Sequence, residues 1–259
     1  KTQIKDEKTM KSHILVETAN VKAGNECLRY LLGRPAAHQV GMAMIYGRPG
    51  LGKTQFSQRQ AIQNGYVYLS ALKASTPKSF LVDLLGKLRW RYENDDSQVI
   101  GHRPKLFREV IDLLNTHTTR EHMPVIIIDE TDNIIHYKHE EIIGMLRDVA
   151  DNTVASVVLV GMQDLREKVL RLNTHYYNRF IYFCEFKPLS NEDCRKMCAE
   201  LSDVKVATDL ANYTNGKDQA RGDARKIIKA IRFYEDIAKM LDVKELDLAT
   251  FLKVTGKAK

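Results

Sequence analysis

The stretch GRPGLGKT, residues 47–54, follows directly on the apolar run MAMIY, residues 42–46. It fits GxxxxGK[ST] at every fixed position. Glycines at 47, 50 and 52 let the backbone N–H groups of a tight loop turn inward around phosphate oxygens, and a helix that follows offers them the positive end of its dipole. In this pattern Lys53 neutralises β- and γ-phosphate charge and the Thr54 hydroxyl is a ligand for Mg2+. Pro49, Leu51 and Gln55 complete the segment that would enclose the nucleotide. The motif has weight only between a strand and a helix. Both are predicted: GMAMIY reads as a buried strand, and a helix is expected from Lys53 to about Gln63, stopped by Gly65.

Working outward, NECLRYLL (residues 25–32) carries apolar residues at helical spacing and ends at Gly33 and Pro35. YVYLSA (66–71) predicts the second strand. PKSFLVDLLGKLRWRY (77–92) predicts a helix with Phe80, Leu81, Leu84, Leu85 and Leu88 on one face, and PKLFREVIDLLNTH (104–117) another. PVIIIDE (124–130) is an apolar run ending in two acids, as in a strand buried on both faces. Helix (138–151), strand ASVVLVG (155–161), helix (163–172) and strand FIYFCEF (180–186) follow. Strands alternating with helices imply a parallel sheet with helical crossovers. Beyond Pro188 every predicted element is helical, beginning with Ser190 as N-cap and Asp193 three residues on. The expected fold is therefore α/β, with a polar arm at 1–13, an α/β domain at 14–187 and a helical domain with a short basic tail at 188–259.

In the acidic pair, Asp129 at the strand end is placed to hold Mg2+ through water, and Glu130 to polarise an attacking water. A solvent-facing acidic pair fits the same residues; the phosphate loop upstream favours the chemical reading, and adjacent acids favour hydrolysis over simple binding. Arg179, just before the last strand, is placed where a neighbouring subunit could approach, so that its guanidinium would complete that neighbour's site in trans. Arg225, opening a helix of the second domain, is placed to reach the γ-phosphate. An ordinary surface arginine is the alternative for each.

Composition bounds the reading. Apolar residues at 44% and charged residues at 28% lie in the globular range. Forty Lys plus Arg against 33 Asp plus Glu give +7, a mild basic excess compatible with nucleic acid. Cys27, Cys184, Cys194 and Cys198 form no CxxC pair and read as reduced, buried thiols of a cytoplasmic protein. There is no apolar run of about 18 residues and no signal-peptide core near the start, so a soluble protein with no membrane partner is expected. The first residue is Lys1 rather than Met, as in a chain preceded by further residues. His136 and His139 lack a third ligand at metal spacing. Trp90, Tyr66 and Tyr68 could stack bases, but their spacing favours packing in the core.

The phosphate loop, the Asp-Glu strand end, the arginine before the fifth strand, the PLS entry (188–190) and the GDAR helix start (222–225) together resemble the AAA+ ATPases, from about Val16 to Leu252. The resemblance implies a five-stranded parallel sheet with helices on both faces and a small all-helical lid. Within that superfamily, ILVETANV (14–21), VVLVGMQDL (157–165) and YYNRFIYF (176–183) resemble the MuB/TnsC/TniB group of DNA transposition regulators. That likeness implies ATP and Mg2+ as cofactors and self-association into a ring or helical filament on double-stranded DNA. It also implies a transposase as the partner that stimulates ATP hydrolysis. DNA-facing residues of that group lie between the second and third strands, which here offers Lys73, Lys78, Arg103 and Lys105 for phosphate contacts that fix position without reading sequence. One departure stands out. A small polar γ-phosphate sensor is expected where Met162 stands, leaving Gln163 as the polar side chain available. Two other readings stay open: a helicase-loader or initiator-like ATPase, and a nucleotide-switched signalling module that binds protein partners.

Overall fold

The computed structural model describes residues 14–35, 40–119, 122–135 and 140–256; the polar arm, His136, His139 and the last three residues lie outside them. The first part of the chain runs α1 (Ala19–Leu32), β1 (Met42–Gly47), α2 (Lys53–Asn64), β2 (Val67–Ser70), α3 (Pro77–Glu93), α4 (Arg103–Thr116) and β3 (Val125–Asp129). It continues through α5 (Glu141–Asn152), β4 (Ser156–Gly161), α6 (Leu165–Leu172), the short α7 (Thr174–Tyr177) and β5 (Phe180–Phe186). The remainder comprises α8 (Asn191–Leu201), β6 (Lys205–Val206), α9 (Thr208–Thr214), α10 (Ala224–Leu241), β7 (Glu245–Leu246) and α11 (Leu248–Val254).

Five parallel strands form one sheet in the order β2-β3-β4-β1-β5. Successive side chains of a strand point to opposite faces, and here both sets are buried. Met42, Met44, Ile126, Ile128, Val157 and Leu159 join one core with Leu81, Leu85, Leu106 and Leu146 of the helices. Ala43, Ile45, Ile127, Val158 and Val160, on the other face, are equally buried. On that face Phe56 of α2 lies edge-on to Phe186 and flat against Gly24 of α1, where a Cβ would stand 2.5 Å from the ring. The continuous apolar runs are thus the signature of a sheet covered on both sides.

Local chemistry sets several boundaries. Thr76 and Ser79 form a reciprocal capping box at the start of α3, and Ser190 with Asp193 forms another at α8. Helix α1 begins at Ala19 rather than at Asn25, because Ala19 N–H finds an acceptor in Asp193 Oδ1 at 2.8 Å, a partner distant in sequence. Arg34 is buried at the end of α1. Its guanidinium donates to Leu31 O and Ser156 Oγ, both at 2.7 Å, and to Val154 O at 2.7 Å, tying α1 to the start of β4.

By internal packing the described chain divides into two compact units: Ala23–Arg48 with Lys53–Phe186, and residues 14–22 with Pro49–Gly52 and 187–256. The second unit holds α8–α11 around Leu189, Cys194, Met197 and Ile227, with a further cluster at Leu210, Tyr234 and Phe251. This region, expected to be wholly helical, also contains the parallel pair β6–β7, two residues each. Strands that short leave no alternating pattern to read.

All four cysteines are free and buried. Burial pushes the Cys184 thiol up to about 12 and the Cys27 thiol higher still, so neither is ionised near neutral pH. A disulfide reagent at pH 8 should therefore find these thiols slow in the native protein, with all four reacting once guanidinium unfolds it; rapid native reaction at Cys27 or Cys184 would contradict the packing. Arg34→Met, which removes the donor from Leu31 O, Ser156 Oγ, Val154 O and Ala155 O, should destabilise the protein by about 2 kcal/mol or more, read from the denaturation midpoint. An unchanged midpoint would contradict the role assigned to Arg34.

Candidate nucleotide-binding site

In a parallel sheet every strand delivers its carboxyl end to the same edge. Here that edge receives Gly47, Ser70, Asp129 and Gly161, since Tyr46 lies level with Gly161 and Ser70 with Asp129. β1 and β3 flank β4, so their ends stand about two strand spacings apart, roughly 10 Å.

The chain leaves β1 through Gly47–Thr54 and enters α2 at Lys53. Gly50 and Gly52 have φ of +84° and +88°, values that side chains other than glycine rarely adopt. At Gly50 a Cβ would also strike the Asp223 carboxylate, whereas at Gly52 it would meet no atom within 4 Å. The loop therefore keeps open space over Gly52, at the N-terminal end of the twelve-residue α2. Lys53 is buried, its ammonium donating to Gly47 O at 2.7 Å and Arg48 O at 2.9 Å. Thr54 and Gln55 are exposed on the first turn. A cradle, a lysine and an exposed hydroxyl form a donor set suited to phosphate oxygens and a hard cation.

Asp129 is buried at the end of β3. Its Oδ1 accepts the Glu130 N–H at 2.8 Å and its Oδ2 accepts the Tyr68 hydroxyl at 2.9 Å. Glu130 is exposed and left-handed, with φ +54° and ψ +34°. A non-glycine residue held there costs about 1–3 kcal/mol. Next comes a single 3-10 turn, Thr131–Asn133, in which Asp132 accepts the Met162 N–H at 2.5 Å and the Lys168 ammonium at 2.8 Å. Met162 is exposed. Gln163 Oε1 accepts Arg48 Nε at 3.2 Å, which joins the end of β4 to the phosphate loop.

In the second unit, the side chain of Asn20 donates to Lys187 O at 2.8 Å and accepts from Lys187 N–H at 2.9 Å, and it also reaches Leu51 O at 3.4 Å. Asp223 caps α10, and the Ala224 N–H donates to Gly50 O at 2.8 Å. Arg225, one residue on, is exposed, 3.9 Å from its neighbour Asp223. Asp132, Tyr68, Asn20 and Asp223 escaped sequence reasoning. Only Asp132 and Asp223 gave a signal, as acids beside motifs already singled out.

Arg179 does not join this edge. Phe180 is level with Met42, at the opposite end of β1 from Gly47, roughly 16 Å away along the strand. Its guanidinium pairs with Asp151 at 3.0 Å. Of the basic residues assigned to DNA, Arg103 is paired with Glu141 at 2.6 Å, while Lys73, Lys78 and Lys105 are exposed with no ion-pair partner among the described residues. The expectation that Trp90 packs in the core is corrected: it is 60% exposed. The core face of α3 is already taken by Leu81, Leu84, Leu85 and Leu88, and Trp90 lies about 200° around the helix from Leu88. It lines a groove with Ile62, Tyr66, Tyr68 and Lys87, the two tyrosines half-buried. No group of three or more metal-ligating side chains occurs among the described residues, and no helix there is long and apolar enough to cross a membrane.

A family model described as an AAA domain matches residues 37–169, just over half of the chain. The chain belongs to the AAA domain family. No curated protein matches it by sequence. Among solved structures, this AAA chain is similar to the ORC2 protein of Aeropyrum pernix in its ADPNP–ADP complexes, with a TM-score of 0.69 and 17% identity over 95% of this chain and 70% of that one. It is similar to Drosophila ORC bound to DNA, at 0.59 and 21%, covering 88% of this chain but 58% of the other. It is also similar to the Thermotoga maritima RuvB Holliday junction branch migration motor, at 0.56 and 17%, covering 92% and 68%.

Proposed function

We propose that this AAA protein binds ATP with Mg2+, hydrolyses it slowly, and uses the cycle to control self-assembly on double-stranded DNA. The observation that carries the reading is the shared sheet edge. Gly47, whose carbonyl the Lys53 ammonium holds, and the Asp129–Glu130 strand end both stand there.

Each residue then has a task. Lys53 and the first N–H groups of α2 would hold the β- and γ-phosphates, and Thr54 with Asp129 would hold the cation. The bound Mg2+–nucleotide supplies the phosphoanhydride bond and neutralises charge on its oxygens. Glu130 would accept a hydrogen bond from water at its carboxylate and take up the proton as that water attacks. Gln163, held to Arg48, is the polar group at the end of β4 that stands in for a sensor. Arg225 would approach the γ-phosphate from the start of α10, the helix whose first N–H is bonded to Gly50. The distance of Arg179 from its own loop supports a role at a neighbour's site, where such a guanidinium adds roughly 10³ to 10⁵ in rate.

For DNA, Lys73, Lys78 and Lys105 would contact backbone phosphates, and many such protomers along one duplex would convert weak contacts into tight, sequence-tolerant binding. The sequence resemblance to transposition regulators supports a transposase as the partner to which the DNA is delivered. The similarity to ORC structures over nearly all of this chain favours an initiator-like role as the second reading. Both readings require nucleotide control of DNA binding.

Lys53→Ala should abolish nucleotide-dependent DNA binding. Glu130→Gln should lower hydrolysis by at least about 10²-fold while DNA is retained longer after competitor is added. Release from the Glu130→Gln protein as fast as from the unaltered chain would contradict hydrolysis as the release step.

A further inference from the structure

β2 is the edge strand, paired with β3 alone. In that pair Ser70 stands level with Asp129, and Tyr68 stands level with Ile127. Tyr68 and Asp129 are therefore diagonal neighbours on one face, the face opposite the one on which Val67 and Leu69 pack into the core. Ser70, level with Asp129, is exposed. Tyr68 reaches the Asp129 carboxylate, its hydroxyl donating to Oδ2 at 2.9 Å, while the backbone of Glu130 donates to Oδ1 at 2.8 Å.

A carboxylate oxygen accepts through two lone-pair directions. One donor on each oxygen fixes the plane of the carboxylate and leaves one direction free on each. The phenol hydroxyl is the donor of this pair and the carboxylate oxygen the acceptor.

We propose that Tyr68 is a positioning residue for Asp129, clamping one carboxylate oxygen from the edge strand so that the acid keeps a single orientation toward a divalent cation. This rests on the Mg2+–nucleotide reading of the site. Loss of an outer hydrogen-bond partner of a metal-binding group lowers metal affinity by roughly 10- to 100-fold, and the lower end suits a carboxylate that keeps its backbone donor.

The test is Mg2+ titration of a fluorescent ATP analogue bound to the full chain, with parallel binding in EDTA. The unaltered protein should bind more tightly as Mg2+ is added. Tyr68→Phe should bind as the unaltered protein does in EDTA, with its Mg2+ midpoint raised roughly tenfold and its hydrolysis restored by excess Mg2+. In an Asp129→Asn background, Tyr68→Phe should shift the midpoint no further, because the two act as one unit. An unshifted midpoint in Tyr68→Phe, or equal weakening with and without Mg2+, would overturn the positioning role while leaving the nucleotide site in place. Absence of any Mg2+ effect in the unaltered protein would overturn the underlying site reading, and this inference with it.

Discussion

β1 sits between β4 and β5 and pairs in parallel with both, and the site depends on that placement. A strand held on two sides cannot continue past the sheet edge without leaving its ladder. The chain turns sharply at Gly47, φ +154°, where a Cβ would strike the carbonyl of Phe186. The turn leads into a loop whose glycines carry positive φ, and the loop ends in a helix whose first N–H groups have no partner within the helix. A loop suited to an anion thus follows from backbone geometry, and Lys53 adds its charge to it. Parallel pairing then delivers Asp129 and Gly161 to the same edge without further specification.

What was legible in the sequence was local. The strand–loop–helix at residues 42–64, the capping box at Ser190 and Asp193, and the apolar face of α3 follow from spacing and from side chains that bond their own backbone. The acids at 129 and 130 were legible because an apolar run ended there. What stayed hidden depends on partners distant in sequence. Tyr68 looked like a packing residue until register placed it diagonally from Asp129. Arg34 gave no sign that it closes α1 onto β4. Trp90 looked like core by type, yet helical geometry turns it away from a face already full.

The departure at Met162 has a structural counterpart. Its N–H is held by Asp132, and Asp132 is in turn paired with Lys168 of α6, so the end of β4 is braced by the turn that follows β3. That brace sets where Gln163 stands when it meets Arg48. A polar group is therefore present beside the phosphate loop although the expected position carries a thioether. In the proposed function, such a site would switch affinity between nucleotide states, and a weak per-protomer preference for DNA would become a strong one if copies assembled side by side.

The central claim is that nucleotide state governs cooperative assembly on duplex DNA. The most direct measurement is fluorescence anisotropy of labelled duplexes of increasing length, titrated with protein in a slowly hydrolysed ATP analogue and, separately, in ADP. The account predicts binding with the analogue that steepens and tightens with duplex length, tolerates sequence change and collapses in ADP. Equal curves in the two nucleotides, or affinity independent of length, would contradict it.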